Sequence, residues 1–225
     1  MGSRRSLLLD KPRYDRDEAE FGRAVGFIDA TYALALTLLV TSLEVGDFPS
    51  SWTSVGALYD AVGEQFLTFL IAFAVIASYW LEHHRMFAWF SAIDYPVIVA
   101  NLFLICAIVL LPFSTRSVGD PSDIDELALP TVVLAVNVTV CSILHTVVYA
   151  LAVRRGLVRG QPSTLEFRGY LTLSLLPAVV FALSIPIAYA VSPTAARFFW
   201  LALIPVSMIA KQRITRAVAR ELGSG

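Results

Sequence analysis

Charged residues are scarce in this chain of 225 residues: only 16% are Asp, Glu, Lys or Arg, whereas a typical soluble domain contains about 25%. Hydrophobic residues make up 57% of the sequence, and the mean hydropathy is +0.70. A soluble all-helical protein is therefore strongly disfavoured. The net charge is −1, and no nucleic-acid partner is expected.

Cysteine is also scarce, with only Cys106 and Cys141 in the chain. Both fall inside apolar stretches without the spacing of metal ligands, so we expect two buried free thiols, no metal site and no cofactor. A secretory signal peptide is not visible either. The N-terminal arm is charged, and the first apolar stretch lacks a small-residue cleavage site. The first apolar helix is therefore expected to stay in the protein.

Long apolar runs fill most of the remaining sequence. A helix needs about 20 apolar residues to cross the hydrocarbon core of a bilayer, and the runs meet this length. The sequence predicts an all-α integral membrane protein with six transmembrane helices in a single domain over 21–219, between a charged cytoplasmic arm at 1–20 and a tail at 220–225. The predicted helices cover about 21–45, 62–85, 93–114, 127–153, 167–190 and 194–212.

Basic residues are distributed very unequally between the two sides that these helices define. Of the 17 Lys and Arg residues, all but Arg116 and Arg197 fall on the side of the termini. The opposite loops are acidic, above all between Asp120 and Glu126. Because Lys and Arg favour the cytoplasmic side, the sequence predicts a multi-pass protein of the plasma membrane with both termini in the cytoplasm. The mixed charges from Lys11 to Glu20 suggest a short amphipathic helix that leads into the first span.

One carboxylate lies within the first span. Burying an ionised side chain at mid-bilayer costs about 2.5–3.5 kcal/mol on insertion scales, so Asp29 requires a partner. The first choices are Trp80 and His83 on the second helix; the other candidates are Tyr79, His84 and, on the third helix, Asn101, with Arg23 nearby on the first. We favour a structural hydrogen-bond acceptor that ties helices together, while a direct ion ligand or a proton carrier stays open.

A stripe of selected residues runs along the first helix at intervals of three or four. It is small and apolar near the cytoplasmic end, then hydroxylated, then acidic, and comprises Ala30, Leu34, Thr37, Thr41 and Glu44. Residues at this spacing share one helix face. A face exposed only to lipid has no need of two threonines and a glutamate, so the stripe is a candidate pore lining.

Adjacent histidines at His83 and His84 raise the question of metal binding. Neighbouring residues on a helix point about 100° apart, and no set of carboxylates accompanies this pair. Satisfied polar residues at a helix interface are the favoured interpretation, and metal ligation is disfavoured.

Three short motifs follow one another along the first three predicted helices. Their residues are Arg23, Phe27, Asp29 and Ala30 on the first helix, Trp80, His83 and Phe87 on the second, and Asn101, Leu111, Pro112 and Phe113 on the third. Taken in order, these motifs resemble those of the transmembrane protein 175 family of prokaryotic and endolysosomal potassium channels. The family's first-helix pattern Arg-x-x-x-Phe-Ser-Asp is matched except at its serine, which is Ile28 here.

The resemblance implies a homotetramer whose first helices surround a central pore for monovalent cations, potassium above all, moving passively across the bilayer. It implies that Leu34 is the apolar constriction and Thr37 the neighbouring hydroxyl ring. The family lacks the Thr-Val-Gly-Tyr-Gly filter of ordinary potassium channels, and this sequence lacks it too.

Other functions remain open on the residues alone. The main alternative is a proton-coupled secondary transporter in which Asp29 and His83 titrate during the cycle. A membrane subunit that senses or interacts without conducting ions is a third interpretation. An enzyme is least favoured, because no nucleophile–base pair or metal-ligand set is found.

Overall fold

The computed structural model describes residues 13–43, 52–116, 118 and 127–223. Within these residues the fold is helical apart from one short pair of strands. In chain order the elements are β1 (Arg13–Asp15), α1 (Ala19–Leu38), a 3-10 turn (Leu39–Ser42), α2 (Val55–Ala88), β2 (Ala92–Asp94), α3 (Tyr95–Val109), α4 (Leu111–Arg116), α5 (Ala128–Arg154), α6 (Thr164–Ala190), α7 (Pro193–Trp200) and α8 (Leu203–Gly223).

Five helical segments among the described residues are long and apolar enough to cross a membrane. They are Ala19–Thr41, Tyr95–Arg116, Ala128–Arg154, Thr164–Ala190 and Pro193–Glu221. Helix α2, which contains the predicted span at 62–85, is 34 residues long but is not one of these five. An all-helical membrane fold is thus confirmed in outline, and the count of six spans remains a prediction.

The predicted helix at 194–212 is divided into α7 and α8 and extends to Gly223, and two other helices begin earlier than predicted because a polar side chain caps them. The Ser54 hydroxyl accepts from the Ala57 backbone N–H at 3.1 Å, so α2 begins well before residue 62. The Ser163 and Glu166 side chains cap each other's backbone N–H groups at 3.2 and 2.8 Å, so α6 begins at Thr164 rather than at 167. A cap satisfies N–H groups that have no partner inside the helix, and it extends the helix to that point.

Helix α5 occupies the middle of the bundle and packs against α3, α4, α6 and α7. Its residues Ala135, Cys141 and Val148 are completely buried. Helices α6 and α8 approach closely at Gly169, where an added Cβ would lie 2.5 Å from Ile214 Cγ2. Glycine is therefore required there for the two helices to pack at this distance.

The two thiols have different environments. Cys141 is buried, as expected, but Cys106 is exposed on α3. The expectation of two buried thiols is wrong for Cys106, because only one face of α3 packs against the bundle.

The charged arm before α1 pairs with a distant segment instead of forming the predicted helix. Strand β1 is antiparallel to β2, with Tyr14 opposite Ile93. The Arg16 guanidinium donates to the Phe87 and Phe90 carbonyls at 3.0 and 2.9 Å, at the C-terminal end of α2. A cation is favourable where helix carbonyls lack partners. The prediction of a short helix from Lys11 to Glu20 is therefore wrong for residues 13–15.

Candidate pore helix and its polar contacts

Helix α1 has one packed face and one open face. The packed face contains Phe21, Ile28, Tyr32 and Ala35, all buried against neighbouring helices. Ile28, which stands where the related family has serine, belongs to this face and is 6% exposed. Ile28 belongs to the buried apolar cluster, so the isoleucine side chain is stabilised here by removal of its apolar surface from water.

The predicted stripe lies on the open face. Ala30, Leu34, Thr37 and Thr41 are all exposed in the single chain, and Leu34 is 56% exposed. At about 100° per residue, the stripe centres roughly 180° from the packed face. Glu44, the predicted outer end of the stripe, lies outside the described residues.

The two threonine hydroxyls of the stripe bond to their own helix. Thr37 Oγ1 donates to the Leu34 carbonyl at 2.8 Å, and Thr41 Oγ1 donates to the Leu38 carbonyl at 2.6 Å. A hydroxyl has one proton and two lone pairs. Since the proton is engaged by the helix, the lone pairs remain available to a cation or a water on the open side.

Asp29 is held by helix α2. The Trp80 indole Nε1 donates to Asp29 Oδ1 at 3.0 Å, which is the contact expected for the first of the predicted partners. Both residues are half-buried. A hydrogen bond from a neutral donor to a carboxylate is worth about 1.5–3 kcal/mol, so this contact is a substantial link between α1 and α2.

His83, the second predicted partner of Asp29, bonds to α3 instead. Its Nε2 lies 2.8 Å from Asn101 Oδ1, and Asn101 Nδ2 donates to the Val97 carbonyl at 3.1 Å. Because a carbonyl oxygen can only accept, Nε2 carries a proton in this arrangement. The ring stacks on Phe87 with 4.4 Å between centroids. His83 and Asn101 are 1% and 2% exposed, so the pair is a buried link between α2 and α3.

Arg23 joins neither of these pairs. It lines a cavity of about 260 Å³ between α1 and α3, together with Phe27, Ile28, Phe87 and Asn101. Its guanidinium has no hydrogen bond or ion pair to any other residue that the structure describes. The five residues of the predicted network therefore form two separate hydrogen-bonded pairs and one cavity-lining arginine.

The two adjacent histidines diverge, as expected from helix geometry. His83 is buried, whereas His84 is exposed and lies against Trp80 with 5.5 Å between ring centroids. Within the described part of the chain, no three His, Cys, Asp or Glu residues are grouped so that they could hold a metal ion.

Among the contacts of charged residues that the sequence did not indicate, two join segments at the same end of the bundle. One is the Arg16 contact with the end of α2, described above. The other is an ion pair between Arg155, which follows α5, and Asp94, which caps α3 through the Val97 N–H at 3.3 Å. An Asp two residues before Pro96 is a recognisable helix start, but nothing in the local sequence indicates its distant partner.

If Asp29 acts as a structural acceptor, Asp29→Ala is expected to disturb assembly more than ion permeation. We expect the same loss of stability, about 1.5–3 kcal/mol, from Trp80→Phe, which removes the donor. Thermal unfolding and size-exclusion chromatography of the purified variants measure both effects, and Asp29→Asn, which keeps an acceptor oxygen, is the matched control. Normal oligomers with altered ion selectivity in Asp29→Ala would favour direct ion coordination instead.

Comparison with known proteins finds similarity to one family. The family model described as "Endosomal/lysosomal potassium channel TMEM175" matches residues 23–112. A potassium channel of Streptomyces collinus is 28% identical over 45% of this chain and 48% of its own length. A potassium channel of Chamaesiphon minutus is 32% identical over 46% of this chain and 52% of its own length. These matches thus cover about half of each curated relative.

A longer match extends over nearly the whole chain. A potassium channel of Chryseobacterium is 23% identical over 88% of this chain and 97% of its own length.

Two crystal structures share the fold. The potassium channel MtTMEM175, solved as a variant with a nanobody fusion, superimposes with a TM-score of 0.65 at 18% identity, over 94% of this chain and 99% of that one. A TMEM175 homologue from Chamaesiphon minutus, described as a lysosomal potassium-selective channel, gives a TM-score of 0.57 at 24% identity, over 83% and 99%. The family resemblance indicated by the motifs is confirmed over this part of the chain: residues 23–112 match the TMEM175 family model.

Proposed function

We propose that this protein is a potassium-preferring cation channel in which passive permeation follows the open face of α1. The observation that carries the proposal is the position of the stripe: Leu34 and Thr37 project from α1 on the side opposite its packed face, and Thr41 is exposed on the 3-10 turn that continues the helix. The curated relatives named potassium channels support the same function.

A homotetramer gives this open face a physical role. Large apolar residues flank the stripe, with Phe27 57% and Leu38 39% exposed. In a fourfold assembly these flanks pack between adjacent first helices, while the stripe faces the axis. Each subunit would contribute six transmembrane helices, α2 included, with lipid around the outside of the bundle.

Permeation then depends on the ring of four Leu34 side chains. An ion that crosses an apolar ring loses part of its water shell, and potassium holds water less tightly than sodium. The ring thereby favours potassium through the lower cost of dehydration. The Thr37 and Thr41 oxygens replace part of the lost water, and Glu44 at the outer mouth raises the local concentration of cations.

Flux through purified protein tests the proposal. Proteoliposomes loaded with potassium and diluted into sodium are expected to release potassium without a proton gradient, and planar bilayers are expected to show channel-sized unitary currents. Empty liposomes are the control. An absence of currents from correctly assembled protein would contradict a channel function and favour a non-conducting membrane subunit.

The alternative of a proton-coupled transporter through Asp29 and His83 is not favoured. The two residues bond to different partners, Trp80 and Asn101, and the relatives are named as channels. Flux that saturates with potassium and stops when the proton gradient is collapsed would reverse this choice. An enzymatic activity is not part of the proposal.

We also propose that the protein lies in the plasma membrane with both termini in the cytoplasm. Arg85, Arg154 and Arg155 then occupy the cytoplasmic end of the bundle, where α2 and α5 finish. Arg197, whose Nε donates to Thr131 Oγ1 at 3.1 Å, occupies the opposite end. This arrangement follows the preference of Lys and Arg for the cytoplasmic side.

Cysteine labelling in intact cells measures this orientation. After Cys106 and Cys141 are replaced, Ser122→Cys and Gln161→Cys are introduced separately; residue 122 lies in the acidic loop outside the described residues, and Gln161 is exposed before α6. An impermeant thiol reagent is expected to label position 122 and to label 161 only after cell lysis. The reverse pattern would invert the topology. Gln161 precedes the α6 cap at Ser163, so the substitution leaves that cap intact.

A further inference from the structure

An open, basic cavity lies at the end of the bundle where α5 finishes, away from the stripe on α1. Its volume is about 410 Å³, and its lining residues are Arg13, Asp94, Arg154, Arg155 and Leu157. The lining therefore contains three guanidinium groups and one carboxylate.

The positive charge of this cavity is only partly compensated. Asp94 pairs with Arg155 through Nε, and the terminal nitrogens of that guanidinium take no part in this contact. Arg13 lies 3.4 Å from Asp15, with both side chains more than half exposed at 55% and 58%, and such surface pairs contribute little. Arg154 is exposed, and its side chain has no hydrogen bond or ion pair to another residue within 13–43, 52–116, 118 or 127–223.

The walls of the cavity are fixed by backbone hydrogen bonds. The Leu157 carbonyl accepts from the Ser91 N–H at 2.8 Å, and the Leu157 N–H donates to the Ala152 carbonyl at 2.9 Å. Between α5 and Leu157 the chain turns through Gly156 at φ 66°, a conformation that favours glycine. The β1–β2 pairing holds Arg13 opposite Asp94. The backbone that carries the basic groups is thus held in place by hydrogen bonds, while a ligand would still have to order the exposed Arg13 and Arg154 side chains.

Exposed aromatic residues place this end of the bundle at the membrane surface. Trp89 is 65% and Tyr95 59% exposed, and the Trp89 carbonyl accepts from the Arg159 N–H at 2.8 Å. Trp and Tyr concentrate at the level of the lipid headgroups. In the proposed membrane placement, the cavity between α5 and β2 opens at the depth where lipid phosphates lie.

We infer that this cavity binds the phosphate of an anionic phospholipid headgroup, with Arg13, Arg154 and the terminal nitrogens of Arg155 as donors. Guanidinium groups match phosphate oxygens in geometry and remain charged at any physiological pH. The inference uses the proposed membrane placement but not ion conduction, so a protein without ion flux could still bind lipid here.

Lipid titration of the full-length purified protein provides the test. Phosphatidylglycerol or phosphatidylcholine is added in detergent, and bound lipids are counted by native mass spectrometry. We expect tighter binding of phosphatidylglycerol to the wild type. Each arginine near the surface contributes about a fivefold factor in affinity, so Arg13→Gln with Arg154→Gln is expected to weaken binding roughly 25-fold. Arg155 is left intact because of its ion pair with Asp94.

Arg168→Gln is the matched control, since Arg168 is an exposed arginine on α6 that does not line the cavity. Unchanged phosphatidylglycerol binding in this variant supports a defined site, whereas an equal loss would show general charge attraction and overturn it. Equal binding of the two lipids would also overturn it. Displacement of the lipid by millimolar inorganic phosphate would assign the cavity to free phosphate instead. Thermal unfolding of the double variant checks that the fold is retained.

Discussion

Replacing Leu34 with alanine is expected to raise unitary potassium conductance and to lower selectivity over sodium. Leu34 sits on the open face of α1 next to Thr37, and in the proposed tetramer four copies form the narrowest ring. A wider ring lets ions retain more of their water. A barrier lower by about 1 kcal/mol would increase the flux about fivefold. Single-channel recordings in planar bilayers, with reversal potentials in mixed potassium and sodium, measure both quantities.

Leu183→Ala is the matched control for this experiment. Leu183 is a leucine on α6 with nearly the same exposure, 53% against 56% for Leu34, but it belongs to a different helix. Its truncation is expected to leave conductance and selectivity unchanged. Equal effects of the two substitutions would indicate that Leu34 faces lipid, and the assignment of α1 as the pore helix would then be wrong.

Replacing Asn101 with leucine is expected to destabilise the protein by roughly 1–3 kcal/mol, because it leaves the buried His83 N–H without its acceptor. Loss of the same bond through His83→Phe is expected to leave the opposite deficiency, a buried Asn101 Oδ1 without its donor. Thermal unfolding in detergent, with size-exclusion chromatography to follow the oligomer, measures both single variants.

The double variant separates this hydrogen bond from packing. A phenylalanine at position 83 retains a ring against Phe87, and a leucine at 101 needs no partner. Removing both members of a buried polar pair is often nearly neutral. We therefore expect the double variant to be more stable than either single variant. Strictly additive destabilisation would contradict the pairing and would attribute the losses to packing defects alone.

Predictions from local pattern succeeded best in the helices. The apolar stretches at 127–153 and 167–190 correspond to α5 and α6 within a few residues, since length and hydropathy are properties of a contiguous segment. The predicted boundaries were less accurate where caps such as Ser54 and Ser163 extend a helix. The arm is predicted as helix from its own charge pattern. That pattern carries no information on β2, which pairs with β1 from some 80 residues away.

Sequence by itself determined the apolar spans, the periodic stripe of Leu34, Thr37 and Thr41, and the unequal distribution of Lys and Arg. The spans and the stripe are patterns within one contiguous segment, and the Lys and Arg distribution is a count over the loops. Only the tertiary structure decided which polar groups meet. It joins Asp29 to Trp80 and His83 to Asn101, and it pairs Arg155 with Asp94. The physical reason is that a buried donor can form a hydrogen bond with any acceptor that lies at a suitable distance and angle. Which acceptor lies there is set by how whole helices pack and not by residue type.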